Sequence, residues 1–292
     1  MMAQRKMKKQ GFAILALALA GSAAGRVVKD LVYTGGSSPE LKLDLLLPDQ
    51  IGMEKMPVVI AIHGGGWRKG SKGNPIWFKA LPKEGIAVVD INYRLSAEAI
   101  FPAQIDDCKA AVKWVRGHAS EYGFDPKRIG AGGSSAGGTL AALLGVQGDV
   151  VAVCSLFGPT DLLSMDQQGE ENPRMIHDAP DSPESHLVGG PIKDEPFRAL
   201  AKQASPFCFV GKECPPFLFI HGKKDGLVPF EQSRAMHEAL RAVDVESKLV
   251  AVKNGTHGLR KDDFNPTAEQ IQQMVANFFK QTLFGEGNHY ED

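Results

Sequence analysis

The feature that most constrains this chain is a succession of short apolar runs, each separated from the next by a segment of helical character. Pro57-Val-Val-Ile-Ala-Ile62 and Ile86-Ala-Val-Val-Asp-Ile91 lack the apolar–polar alternation of a strand with one wet face, so both are expected to be strands covered on both sides. Ala103 to His118 follows, with Ile105, Cys108, Val112 and Val115 at helical spacing. A short strand from Arg128 runs into a Gly-Ser turn, Ala136 to Val146 is an Ala- and Leu-rich helix, and Val150 to Leu156 is a strand. Phe217 to Ile220 (strand), Phe230 to Val243 (helix), Lys248 to Val252 (strand) and Thr267 to Leu283 (helix) continue the rhythm. Such alternation predicts an α/β fold with a mostly parallel central sheet and helices on both faces. Val27 to Tyr33 and Leu41 to Leu47 have no helix between them and predict an antiparallel hairpin at the sheet edge. The stretch 158–216, rich in Pro, Gly and Asp, breaks the rhythm. It is expected to be an irregular insertion lying over the strand ends, within a single domain spanning 25–292.

The N-terminus needs separate treatment. Arg5, Lys6, Lys8 and Lys9 precede an apolar run from Phe12 to Ala20, and Gly21-Ser22-Ala23-Ala24 supplies small residues after it. This three-part pattern predicts a secretory signal over 1–24 and a secreted or periplasmic mature chain. The run is about half of the ~20 residues needed to span a bilayer, so no stable membrane anchor is expected after cleavage. Removing 1–24 takes four of the 33 basic residues and none of the 34 acidic ones, which leaves a mildly acidic remainder. That charge argues against a partner held by phosphate neutralisation, so no nucleic acid is expected. The four cysteines, Cys108, Cys154, Cys208 and Cys214, form no C-x-x-C pair, and no metal site is expected. Cys108 and Cys154 fall in apolar segments and read as buried. Cys208 and Cys214 flank a five-residue segment, and the sequence leaves both the paired and the free state open.

Three motifs carry chemistry. Gly133-Ser134-Ser135-Ala136-Gly137 is a G-x-S-x-G between a strand and a helix, the context in which a sharp turn thrusts a serine hydroxyl out over the sheet. Centring the motif on Ser134 would put Ala136 in the last glycine position, so Ser135 is the candidate nucleophile. His63-Gly64-Gly65-Gly66-Trp67 follows the first buried strand, and its glycines allow backbone N–H groups to approach a reacting oxygen closely. His63 precedes the serine in the chain and reads as a loop-organising residue. The third motif is a pair of loops at strand ends, His221-Gly-Lys-Lys-Asp225 and Asn254-Gly-Thr-His257-Gly258. An Asp before Gly is by itself a turn residue, and a His beside Gly is by itself a loop residue. The order Ser135, Asp225, His257, with each at a strand end, is the specific signal. Asp90, Asp106, Asp107 and Asp161 are expected to bond backbone or cap structure. His118, His177, His186, His237 and His289 are expected at the surface or in loops, and Arg94 as a structural bridge.

With these motifs the chain resembles exported bacterial α/β-hydrolases, in the group of acetyl-xylan and feruloyl-type carbohydrate esterases that neighbours the hormone-sensitive-lipase family. The likeness covers roughly Leu41 to Leu283 and includes Asn92 to Leu95, Pro102 with Asp106 and Asp107, Phe124-Asp125-Pro126, Gly158 to Asp161 and Ala204-Ser-Pro206. The resemblance implies an α/β-hydrolase fold and a serine esterase with Ser135, Asp225 and His257 as its triad. It implies oxyanion donors from the N–H groups of Gly65, Gly66 and Ala136, supported by His63, Gly64, Trp67, Gly133 and Gly137. It implies no cofactor, and a small-molecule or saccharide ester as substrate. Acetyl, feruloyl and lipid-like esters stay open, as does oligomeric state. A serine peptidase on the same fold and a non-catalytic binding protein are the alternatives.

Overall fold

In a computed structural model of the chain, residues 26–34, 41–49, 55–169, 175–259 and 264–285 are described. The expected secretory signal and His289 lie outside them. Eight strands form one sheet: β1 (Arg26–Val32), β2 (Lys42–Leu47), β3 (Met56–Ile62), β4 (Ala87–Ile91), β5 (Phe124–Ser134), β6 (Val153–Leu156), β7 (Phe217–Gly222) and β8 (Ser247–Val252). Their spatial order is β1-β2-β4-β3-β5-β6-β7-β8. β1 and β2 form the expected antiparallel hairpin at one edge, β2 pairs antiparallel with β4, and every later pairing is parallel. The helices are α1 (Ala103–Gly117), α2 (Ala119–Tyr122), α3 (Ala136–Val146), α4 (Met165–Gln168), α5 (Pro183–Val188), α6 (Phe197–Gln203), α7 (Phe230–Ala242) and α8 (Ala268–Phe284). None of the described helices is long and apolar enough to cross a membrane.

The unbroken apolar runs have the expected cause. All seven residues of β3 are buried, and they alternate between two core clusters on opposite faces of the sheet. Val58, Ile60 and Ile62 pack with residues of α1, α3 and α7, whereas Val59 and Ala61 pack with Trp77, Phe78, Leu81 and the apolar face of α8. α3 is apolar all round, and its residues Ala136 to Gly145 are buried, as a helix of that composition must be. α8 opens with a reciprocal capping box between Thr267 and Gln270.

Two strands start three or more residues from their expected positions. β5 begins at Phe124, four residues early, because Met56 pairs with Phe124 across a shift in register before the regular pairing from Val58 to Ile129. β6 begins three residues late, at Val153, because Val151 stands 45% exposed in the connection beneath the sheet.

The strand order places the site. From β3 the chain steps outward to β4, then returns across β3 to β5, so connections leave neighbouring strands in opposite directions. A crevice opens at such a switch point, beyond the C-terminal strand ends. Ile62 at the end of β3 lies in register with Gly133 near the end of β5, which brings the loops after these two strands together.

Candidate active site

Ser135 stands between β5 and α3 with φ 53° and ψ −125°, a conformation costly for a residue with a side chain and found where surrounding structure enforces it. Its N–H donates to Leu156 O at 2.9 Å, and its carbonyl accepts from the N–H groups of Gly138 and Thr139 at 2.8 and 3.2 Å. The turn is closed by glycines with no room for a side chain. A Cβ on Gly137 would lie 2.1 Å from Ile62 O and 2.6 Å from His63 O, and one on Gly133 would lie 2.3 Å from the Gly137 carbonyl.

The loops after β7 and β8 are brought together in the same manner. A Cβ on Gly222 would fall 2.2 Å from Gly255 O, and the Lys224 N–H bonds that carbonyl at 2.9 Å. This approach sets Asp225 beside His257. His257 Nδ1 is 2.8 Å from Asp225 Oδ2, and His257 Nε2 is 3.1 Å from Ser135 Oγ. The imidazole meets the ring of Phe157 edge to face at 4.9 Å between centroids. Asp225 is buried, and its Oδ1 accepts from the N–H groups of Leu227 and Val228, both at 2.9 Å. Burial alone would raise the Asp225 carboxyl, but hydrogen bonds and charge from His221 and His257 outweigh it and hold it well below the usual carboxylate range.

The glycine loop lies on the other side of Ser135. His63 Nδ1 is 2.8 Å from Gly64 O, its ring stacks on Tyr93 at 4.3 Å, and the Tyr93 hydroxyl donates to His63 O at 3.1 Å. His63 therefore organises the loop, and burial lowers its pKa. Arg68 and Lys69 turn back to Gly65 O at 3.1 and 3.2 Å, and Trp67 is buried beneath the loop. Ala136 opens α3, so its N–H has no carbonyl one helical turn back.

Gly64, Gly65, Gly66, Ser135 and His257 line a cavity of about 860 Å³. Ile76, Trp77, Phe78, Phe157, Met175 and Leu227 give it an apolar wall, and Arg68, Lys69, Ser71 and Asn74 a polar one. The polar wall is anchored from below. Lys72 Nζ pairs with Asp44 at 2.7 Å and Asp30 at 2.9 Å, the Lys72 N–H donates to Asn92 Oδ1 at 2.7 Å, and the Gly73 N–H donates to Asp90 Oδ2 at 2.6 Å.

Asp90 thus bonds backbone, as expected, but it also lines the cavity. Burial, with a contribution from Asp44 and against the Gly73 N–H and Lys72, pushes its carboxyl from 3.8 up to about 7. Between these values the folded chain holds a proton that the unfolded chain has released, so stability falls as pH rises through that window and is level above it. Asp90→Asn is expected to melt close to the parent at pH 4 and several degrees above it at pH 8. Thermal melts at the two pH values check this, and a difference in Tm that does not widen refutes it.

The other expectations divide. Arg94 is the structural bridge anticipated: its Nε and Nη2 reach Asp107 at 2.7–3.1 Å, and its N–H donates to Asp107 Oδ2 at 2.9 Å. Asp161 accepts the Leu163 N–H at 3.2 Å. His118 and His237 bond Trp114 O at 2.8 Å and Ser247 Oγ at 2.9 Å. His177, in contrast, is buried. Its Nδ1 is 3.1 Å from Glu184 and its Nε2 is 2.9 Å from Leu227 O, which ties the 158–216 segment to the Asp225 loop. Cys108 and Cys154 are buried, and Cys208 and Cys214 are both free thiols. Sequence reasoning assigned no part to His221, which contacts Asp225, or to Gln232. Gln232 Oε1 accepts the N–H groups of Thr160 and Asp161 at 2.7 and 2.8 Å, and its Nε2 donates to Ser164 Oγ at 3.1 Å and Gln168 Oε1 at 2.6 Å.

Known proteins resemble this chain in sequence and in fold. Esterase LipQ of Mycobacterium tuberculosis is 32% identical over 85% of this chain and 59% of its own length, and Esterase LipC of the same organism is 31% identical over 85% and 66%. The chain thus spans about six-tenths of the length of these curated relatives. Among solved structures, a truncated carbohydrate esterase from gut microbiota superposes with a TM-score of 0.75 at 28% identity, covering 91% of this chain and 99% of that one. The BD-FAE family model matches residues 43–240, the span from β2 to the end of α7 that includes the glycine loop, Ser135 and Asp225. An eight-stranded, mostly parallel sheet in this order, with a serine turn at its switch point, is the α/β-hydrolase fold, and the chain belongs to the BD-FAE family.

Proposed function

We propose that the protein is a serine carboxylic-ester hydrolase that works through an acyl-enzyme on Ser135. The observation that carries this is the unbroken line from Ser135 Oγ through both nitrogens of His257 to Asp225, at 3.1 and 2.8 Å, opening on the cavity. In this mechanism His257 Nε2 takes the Ser135 proton as Oγ attacks the ester carbonyl carbon. Asp225 holds the proton on Nδ1 and stabilises the imidazolium that forms. The N–H groups of Gly65, Gly66 and Ala136 receive the tetrahedral oxyanion, where a lost donor costs ~3–4 kcal/mol. The C–O bond to the alcohol breaks, with His257 returning the proton to the leaving oxygen. Water, deprotonated by His257, then attacks the acyl carbon and frees the acid and Ser135. The named relatives are esterases, which supports the reaction class.

The apolar wall and the anchored polar wall favour a short acyl chain joined to a polar alcohol, including a sugar. The test is a panel of p-nitrophenyl esters from acetate to octanoate, with acetylated xylan, methyl ferulate and a peptide p-nitroanilide alongside. The expected result is a maximum in kcat/KM at acetate to butyrate and no measurable amide cleavage. A preference for octanoate would overturn the short-acyl proposal, and amide turnover matching ester turnover would favour a peptidase.

A further inference from the structure

His221, next to last in β7, has no solvent exposure, and the mechanism above makes no use of it. Its Nε2 faces two acceptors, Val228 O at 3.0 Å and Asp225 Oδ2 at 3.3 Å. Neither can donate, so Nε2 carries a proton. Its Nδ1 lies 2.8 Å from Ser233 Oγ on α7. The ring is wedged edge to face against Phe230 at 5.8 Å.

We infer that His221 is a second histidine on the triad carboxylate, a positioning residue that fixes Asp225 for His257. A carboxylate offers about four lone-pair sites. Here Leu227 and Val228 occupy Oδ1, and His257 and His221 occupy Oδ2, so the group cannot rotate. Rotation would turn Oδ2 away from His257 Nδ1 and free the imidazole to change tautomer. The Nε2–H of His221 also draws negative charge from the oxygen that faces His257. This agrees with the direction in which the Asp225 carboxyl is displaced. Among the described residues, the titratable groups facing His221 are Asp225 from the loop after β7 and, across that carboxylate, His257 from the loop after β8. α7 presents only Ser233 and Phe230. His221 does not line the cavity, so its effect belongs in kcat and not in substrate binding.

The inference rests on the triad proposed above, and its test separates the two. In His221→Gln the amide N–H reaches toward the place of Nε2. In His221→Asn the shorter amide reaches only the place of Nδ1 and leaves Oδ2 without its second donor. Both variants introduce a polar amide into the same buried site, so their comparison carries the test even if His221→Phe does not fold. With a short p-nitrophenyl ester, His221→Asn is expected to lose about 10- to 100-fold in kcat, the scale of an ångström of misplacement, at unchanged KM. Its acid limb in kcat/KM is expected to move down by about half to one pH unit, because a carboxylate turned away from Nδ1 no longer stabilises the imidazolium. His221→Gln is expected to regain most of both. Gln and Asn variants with the same kcat and the same acid limb would overturn the role, since a merely structural histidine would change Tm and leave the pH profile in place. Activity surviving in Ser135→Ala would instead overturn the triad, whatever the His221 variants do.

Discussion

Ser135→Ala is expected to fold like the parent and to lose about 10⁴- to 10⁶-fold in kcat on a short p-nitrophenyl ester, the loss that follows removal of a triad serine. At 1.36 kcal/mol per decade this is about 5–8 kcal/mol of transition-state stabilisation. Folding should be spared because the change deletes one oxygen and leaves the backbone bonds that hold the turn, from Ser135 N–H to Leu156 O and from Gly138 and Thr139 N–H to Ser135 O. Ala tolerates φ 53° no worse than Ser does, so the melting temperature should stay within about a degree or two. The residual rate would report what the glycine loop and substrate binding achieve without a nucleophile. A fluorophosphonate probe should label the parent at Ser135 and leave the variant unlabelled. Turnover within tenfold of the parent would refute the assignment of the nucleophile.

Gly137→Ala is expected to be strongly damaging for a single added methyl group. The added carbon would lie 2.1 Å from Ile62 O and 2.6 Å from His63 O, both backbone atoms at the end of β3. A side chain could rotate away, but a carbonyl in a paired strand cannot, because Ile62 is in register with both Ile91 and Gly133. Relief requires the nucleophile turn and the glycine loop to part, which also separates Ser135 from Gly65 and Gly66. Overpacking of this kind costs about 3 kcal/mol or more. That corresponds to a fall in Tm of roughly 6–10 °C for a domain of this size, with loss of activity beyond what unfolding explains. Gly73→Ala is the control for a surface glycine: its Cβ would meet nothing within 4 Å, although its φ of 109° adds some local strain. Equal melting temperatures for the Gly137 variant and the parent would refute the packing argument.

What the sequence disclosed follows from the range of the forces involved. β3 and β4 were legible because burial on both faces writes a continuous apolar run into the local sequence. Ser135, Asp225 and His257 were legible because each sits at a strand end beside glycines that a tight turn demands. The segment 158–216 was not, because its three short helices are held from elsewhere. Gln232 on α7 gathers Thr160, Asp161, Ser164 and Gln168. No periodicity within the segment records partners some seventy residues away. His177 lies in a loop, as expected, but its burial was illegible, since it depends on Glu184 and on the Leu227 carbonyl. His221 stood in plain view beside Asp225, but its part is set by Ser233 and Val228, which meet it only when α7 docks.

α8 has a consequence of its own. The chain leaves β8 at the far edge of the sheet, yet α8 returns to the middle, where Phe279 packs so closely on β5 that a Cβ on Gly130 would lie 2.7 Å from its ring. Phe279 also meets Phe78 edge to face at 6.4 Å, and Lys280 reaches Glu84 at 3.3 Å. Edge strands ordinarily fray on their own, and their amides exchange with solvent long before the core opens. Here α8 acts as a strap from the edge to the centre, so the strand leading to His257 cannot peel away without drawing on the packing beneath the strand that leads to Ser135. The amides of β8 should therefore exchange with deuterium on a timescale closer to that of the central strands than to that of β1, the edge across which no helix among the described residues is strapped in this way.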